Sequence, residues 1–236
     1  MKILITNDDG IGGEGLKVLT RFAKTLGDVT VIAPKTEQSG KSHAINIHSP
    51  FEVKQVDYMD GVRAFTVDST PADCVRVATA LLNEKFDLVL SGINKGFNVG
   101  EDIVYSGTCG AIFEAAYTKT NAIAISTEPT TFDDAEAALP RVFDYIEKNR
   151  LLDVCGLYNI NIPLEPGEIR ITREGGAYFR DTYISKGNDM YLADGYSAYE
   201  KTADLTLDTN ATFSGFISIT PLTVDRTNQS AFDKLK

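Results

Sequence analysis

The chain has no tryptophan, and only three cysteines, two histidines and three methionines in 236 residues. Cys74, Cys109 and Cys155 show no metal-ligand spacing. A sparse, odd set of this kind reads as reduced thiols and points to a cytoplasmic setting. No apolar run approaches the ~20 residues of a membrane helix, and the opening residues carry no signal-peptide core. Basic residues are in deficit, with 23 Lys and Arg against 33 Asp and Glu and a net charge of -10. No basic patch interleaved with aromatics is available to track a polynucleotide, which excludes long DNA or RNA as a partner. A small phosphate-bearing substrate stays compatible with the acidic balance if a metal cation supplies local positive charge. There is no low-complexity tract and no repeat.

What the chain does have is alternation of strand and helix patterns. The apolar fraction of 43% suffices for a sizeable core. "KILIT" (2–6) suits a buried parallel strand, and Leu16, Leu19, Phe22, Ala23 and Leu26 then recur at helical spacing. "DVTVIAP" (28–34) reads as a second strand and residues 35–44 as a polar loop. "INIHSPFEVKQV" (45–56) and "VRAFTVDS" (62–69) read as short strands. A helix is predicted over 71–83, entered through Pro71, followed by a strand at 86–94, a helix at 106–119 and a strand at 122–127. Residues 134–149 predict a helix that Pro140 should kink or restart. Beyond about residue 155 strand-like runs dominate, "EIRITRE" (168–174) among them. The expected fold class is α/β: a Rossmann-like three-layer core with a mostly parallel sheet over 1–155. A β-rich part, 156–236, should pack on it and carry an extended hairpin arm at about 175–205.

The stretch "ITNDDGIGGEG" ends the first strand with two adjacent carboxylates and a run of glycines. Gly10, Gly12 and Gly15 match the G-x-G-x-x-G spacing of a dinucleotide site. The context does not: Asp8 and Asp9 would repel a pyrophosphate, and the second strand ends in "APK" rather than in an acidic residue. Ligands of open α/β sheets bind outside the carboxyl ends of the strands, where Asp8 and Asp9 lie. Two carboxylates with neutral oxygens make a hard site suited to Mg²⁺ or Mn²⁺. The plainer alternative is that one aspartate caps the next helix and the other is solvated.

Two further loops open at the same sheet edge. "EQSGKS" places Ser39 beside Gly40, and alone it would be a polar turn. "SGINKGFNVGEDIVYSGT" runs from Asn94 through Asn98 to Ser106 and Thr108, with more glycine than a simple connector needs. "YSGT" starts a helix whose free amides and dipole form an anion site, compatible with N-capping by Ser106 or Thr108. Carboxylates, neutral oxygens and a helix start at one edge suit metal-assisted phosphate chemistry.

"MKILITNDDGI", "APKTEQSGKSHAI", "STPADCV", "DLVLSGINKGFNVGEDIVYSGTCGA" and "SITPL" together resemble the SurE family of metal-dependent 5′/3′-nucleotidases, in family order from residue 1 to about 222. The resemblance implies one divalent ion per subunit, Mg²⁺ or Mn²⁺, held by Asp8, Asp9, Ser39 and Asn94. It implies phosphate contacts near Ser106, Gly107 and Thr108, with Asn98 close by, and a homodimer or homotetramer. "TLDTNA" followed by "GFISITPL" resembles the family's closing segment. Cys109 stands where a small aliphatic residue is more usual, and the tail after Leu222 is short.

The expected activity is hydrolysis of nucleoside 5′- and 3′-monophosphates, with short polyphosphate as a further substrate. Asp8 and Asp9 are the catalytic candidates. The adjacent pair does not match the D-x-D of haloacid-dehalogenase phosphatases, so water is the preferred nucleophile, with Asp8 or Asp9 as its base. A nucleotide sensor without turnover is the non-enzyme alternative, and a nicotinamide-dependent oxidoreductase the other. His43, near the Ser39 loop, reads as a surface or structural residue and Cys74 as a small core residue. Cys109 lies in a helix first turn, where a thiol pKa can be lowered, but no neighbour supports a nucleophilic role.

Overall fold

Strand β1 (Lys2–Thr6) lies within a nine-stranded sheet in the computed structural model, which describes all of residues 1–236. Its parallel neighbours are β2 (Asp28–Pro34) and β5 (Leu88–Lys95). Beyond β2 come β4 (Val62–Val67), parallel to it, and the antiparallel edge strand β3 (Val53–Met59). Beyond β5 come β6 (Asn121–Thr127) and β7 (Leu157–Ile162), both parallel. β11 (Ile217–Pro221) is antiparallel to β7, and the three-residue β8 (Ile169–Ile171) closes the other edge.

Both faces of the central strands are covered, which is why β1, β2, β5 and β6 read as nearly continuous apolar runs. Helices α1 (Glu14–Ala23) and α4 (Asp133–Lys148) bury Leu16, Leu19, Leu139 and Val142 on one face, against Ile3, Ile5, Leu90 and Ile125. Helices α2 (Pro71–Arg76) and α3 (Gly107–Tyr117) cover Leu4, Ile32 and Val89 on the other with Cys74, Val75 and Ile112. α2 is capped by Thr70, whose hydroxyl accepts from the Asp73 amide, and it continues as a π-helical turn over Val77–Leu81. The short α5 (Leu151–Val154) precedes β7, α6 (Asp208–Phe213) precedes β11, and α7 (Gln229–Leu235) ends the chain. β9 (Phe179–Gly187) and β10 (Met190–Ser197) pair only with each other, as a hairpin whose residues are nearly all exposed.

The fold is α/β with a mostly parallel central sheet, as expected, and several local expectations need correction. Residues 45–52 form no strand, because the Asn46 side chain accepts from the amides of His48 and Ser49 and turns the backbone. The run at 168–174 gives a strand of three residues, Ile169–Ile171, and one separate bridge from Arg173 to Leu207. α4 does not restart at Pro140: it is one helix of 16 residues, held down by its buried stripe of Ala135, Ala138, Leu139, Val142 and Ile146.

Candidate active site

At the carboxyl ends of β1, β2 and β5 the three glycine-rich loops are tied to one another. Asn7, fully buried, brackets the first turn: its side chain donates to the Gly10 carbonyl at 2.9 Å and accepts from the Gly10 amide at 3.2 Å. The Asp8 carbonyl accepts from the Gln38 amide at 2.7 Å, joining the first loop to the second. Ser42 joins the second to the third, its amide donating to the Tyr105 carbonyl and its hydroxyl to the Val104 carbonyl. Between them lies a cleft of about 370 Å³ lined by Asp8, Asp9, Glu37, Ser39, Gly40, Asn94, Lys95, Asn98, Asp102, Tyr105 and Ser106. Four carboxylates and a single ammonium face it. A larger groove of about 730 Å³ opens at the opposite sheet edge, near Met1, Phe22 and Phe143. It is mostly apolar and gathers none of the polar side chains that the sequence singled out, which leaves the smaller cleft as the candidate site.

Asp8 is 4% exposed and sits against the start of α3. The Thr108 hydroxyl donates to its Oδ1 at 2.6 Å. Burial pushes the Asp8 pKa up, and the bonds from Thr108 oppose the shift. Gly107 permits the approach: a Cβ there would lie 3.0 Å from the Asp8 Cβ and 3.1 Å from its Oδ2. Asp9 is only partly buried, and its pKa is raised to about 6 by desolvation first, then by the charges of Asp8 and Glu37, with Lys95 opposing. The Ser39 hydroxyl donates to Glu37 at 2.7 Å. The Asn94 Nδ2 donates to the Gly96 carbonyl at 2.8 Å, leaving its amide oxygen free as an acceptor.

The loop after β5 is anchored by residues that no motif singled out. Asn161 Oδ1 accepts from the Asn98 amide at 2.9 Å, and Asn159 and Asn161 both donate to the Asn98 carbonyl. Asn98 Nδ2 donates to Ser126 Oγ at 2.8 Å. Both supporting asparagines lie on β7, alternating with apolar residues in "YNINI"; a buried polar side chain on a core strand is the signal that could have marked them.

The structure therefore brings Asp8, Asp9, Ser39, Asn94, Asn98 and Ser106 together at one cleft. Gly107 and Thr108 lie behind it, fully or almost fully buried, and the Thr108 side chain is committed to Asp8 rather than to the open space. Asp8 thus stands as an anion of the protein's own beside this helix start. Ser106 is the N-cap, its hydroxyl accepting from the Cys109 amide at 3.1 Å. Cys109 is fully buried, and burial raises its thiol to about 12, the reverse of an activated first-turn thiol. His43 is held at 2.8 Å by Glu114, its ring stacked on Tyr117, and does not line the cleft. Of the three glycines that imitate a dinucleotide fingerprint, Gly15 serves packing: a Cβ there would lie 2.0 Å from the Ile93 carbonyl oxygen, so α1 could not rest on β5.

The geometry has counterparts among known proteins. The family model described as "Survival protein SurE" matches residues 3–181. A protein of Alkaliphilus metalliredigens called 5′-nucleotidase SurE is 36% identical over 251 residues, covering 100% of this chain and 98% of its own. One of the same name from Thermoanaerobacter sp. is 37% identical over 246 residues, covering 100% and 97%. The crystal structure of the SurE protein from Aquifex aeolicus superposes with a TM-score of 0.83 at 29% identity, covering 100% of this chain and 98% of that one. On a family-model match over most of its length and full-length relatives above one-third identity, the chain belongs to the survival protein SurE family.

Proposed function

We propose that the chain is a divalent-metal-dependent phosphomonoesterase that hydrolyses nucleoside 5′- and 3′-monophosphates, and short polyphosphate, at the cleft of Asp8 and Asp9. The relatives' shared name, 5′-nucleotidase, supports the reaction class. The observation that carries the reading is electrostatic. Adjacent carboxylates with raised pKa values, a third at Glu37 and a fourth at Asp102 share a cleft with one lysine, so ionising both aspartates requires further positive charge.

The donor chemistry fits one hard divalent ion, Mg²⁺ or Mn²⁺: carboxylate oxygens of Asp8 and Asp9, the Ser39 hydroxyl and the Asn94 amide oxygen. When bound, such an ion supplies Lewis-acid polarisation of the phosphoryl group and cancels the charge of the two aspartates. The protein's own groups do the rest. Thr108 fixes Asp8 in one orientation. Ser106, the Gly107 amide and Asn98 hold the phosphoryl oxygens at the start of α3. Water attacks phosphorus opposite the ester oxygen, forming one P–O bond as the bond to the nucleoside oxygen breaks. Asp9, the less buried carboxylate, accepts the water proton, and the nucleoside oxygen takes a proton from solvent.

The exposed β9–β10 hairpin bears Tyr183, Tyr191, Leu192 and Tyr196 on its surface. A two-stranded hairpin is marginal by itself in water, and tyrosine is favoured at interfaces, so the arm packs on a second copy in a homodimer or homotetramer. The three thiols form no disulfide, which fits a reducing, cytoplasmic setting. No helix is long and apolar enough to cross a membrane.

Phosphate release from a panel of nucleoside 5′- and 3′-monophosphates tests the reading, with Mg²⁺, with Mn²⁺ and with EDTA, beside a long single-stranded RNA. Turnover of the monophosphates that EDTA abolishes is expected, with the RNA left intact. Tight nucleotide binding without phosphate release would make the protein a sensor instead.

A further inference from the structure

The loop that carries Asn98 is pinned on its other side by a residue outside the cleft. Asp208, at the first position of α6, is fully buried. Its Oδ1 accepts from the Gly175 amide at 2.8 Å and from the Thr209 amide at 2.7 Å. The Gly100 amide donates to the same carboxylate, 3.1 Å from Oδ2 and 3.2 Å from Oδ1. Gly100 begins the 3₁₀ turn Gly100–Tyr105 that leads to Ser106, whereas Gly175 stands just ahead of the β9–β10 arm. The two segments touch directly as well. The Glu101 amide donates to the Gly176 carbonyl at 3.3 Å, and Arg180, on the arm, lies 3.9 Å from Glu101. Phe213, at the end of the same helix, packs on Phe97 of the loop and on Tyr178 and Tyr199 at the two roots of the arm.

We infer that Asp208 is a positioning residue, which clasps the phosphate-side loop of residues 96–105 to the root of the arm and so couples the order of the arm to the geometry of the cleft. Asn159, Asn161 and Ser126 hold this loop from the sheet side. Asp208 is its anchor from the far side, and one carboxylate serves both segments. Burial raises the Asp208 pKa while its three amide partners oppose the shift, so the charge is stabilised by backbone donors. The kinetic part of this inference rests on the nucleotidase reading; the clasp itself does not.

Asp208→Asn separates the two legs. An amide has one acceptor oxygen, and the orientation that keeps the Gly175 and Thr209 bonds puts the NH₂ in place of Oδ2, so the Gly100 N–H loses its 3.1 Å acceptor, keeps only the 3.2 Å contact with the shared oxygen and meets a donor instead; this leg alone is weakened. Hydrogen–deuterium exchange of the full-length chain is the first readout. It should rise at Gly100–Asp102 and stay near wild type at Gly175 and in β1 and β5. With Mn²⁺ and a nucleoside 5′-monophosphate, KM should rise about tenfold, the scale of one lost hydrogen bond to a charged acceptor, with a smaller change in kcat. Wild-type exchange at Gly100, a uniform rise across the sheet, or an unchanged KM would each overturn the inference. If Asp208→Asn does not fold, Gly175→Ala approaches from the arm side, its Cβ lying 2.4 Å from Thr209 Oγ1 and 2.9 Å from Asp208 Oδ1. Faster exchange in the loop of Gly100 supports the coupling; faster exchange confined to the arm root overturns it. Should the wild type release no phosphate, the nucleotidase reading fails while the exchange pattern still decides the clasp.

Discussion

Asp8 and Asp9 are neighbours in the chain but not in environment. Asp8 is buried, fixed by Thr108 and set against a helix start; Asp9 is half-buried and faces the cleft. Thr108 therefore has a defined job. Thr108→Val keeps the volume and removes the 2.6 Å hydrogen bond, which holds the Asp8 pKa down. The acid limb of the pH–rate profile should move to higher pH, and the variant should lose about 1.5–3 kcal/mol of stability, the usual worth of a hydrogen bond to a charged group. A pH–rate profile and urea melts check both; a limb at the wild-type position would show that Thr108 does not tune Asp8. Adjacent aspartates at a strand end were visible in the sequence as a problem of charge. The partner of Asp8, a hundred residues away, was not, because only the packing of α3 on the sheet brings Thr108 to it.

Among the elements, those with a strong period were readable: β1, β2, β5 and β6 as apolar runs, α1 and α4 as amphipathic stripes. Elements whose ends are set by a single side chain were not. Asn46 turns a stretch that looks like a strand. The supports of the cleft on β7 and α6 escaped for a related reason. Asn159, Asn161 and Asp208 lie 61 to 108 residues from the residues of the Asn98–Gly100 loop that they hold, and no local pattern records that distance. α3 shows how an environment overrides a local rule. A cysteine in a helix first turn should be acidic, yet Cys109 is enclosed and raised to about 12. In the native protein at pH 8 it should resist a thiol reagent such as dithionitrobenzoate, reacting only as fast as the fold opens. Rapid labelling of Cys109 would contradict its placement.

For the molecule as a whole, buried carboxylates with raised pKa values tie stability to pH and, on the proposed function, to the metal. Asp8, Asp9 and Asp208 all have raised pKa values. A carboxylate whose folded pKa lies above its unfolded value binds its proton more firmly when folded. Its contribution is intact below the unfolded value near 3.8 and is lost as pH rises through the folded one, about 6 for Asp9. Metal-free protein should therefore melt lower at pH 8 than near pH 5. Mn²⁺ should raise the melting temperature more at pH 8, where the aspartates are ionised. At a hundredfold excess over Kd the ion adds about 2.7 kcal/mol, or roughly 5–10 °C for a chain of this size. Melting curves at both pH values, with EDTA and with Mn²⁺, check this; equal Mn²⁺ shifts at the two would contradict it. Replacing residues 179–197 of the arm by a short turn should give a monomer in sedimentation equilibrium, and an unchanged oligomer would move the interface elsewhere. The central claim, that the paired aspartates hold the ion on which turnover depends, is tested most directly by calorimetric titration of Mn²⁺ into metal-free wild type and Asp9→Asn. Phosphate release from a nucleoside 5′-monophosphate is measured on the same samples. The wild type should bind one Mn²⁺ per chain, Asp9→Asn should bind it much more weakly or not at all, and turnover should fall with binding. Equal Mn²⁺ affinity and equal turnover in the two proteins would contradict the claim.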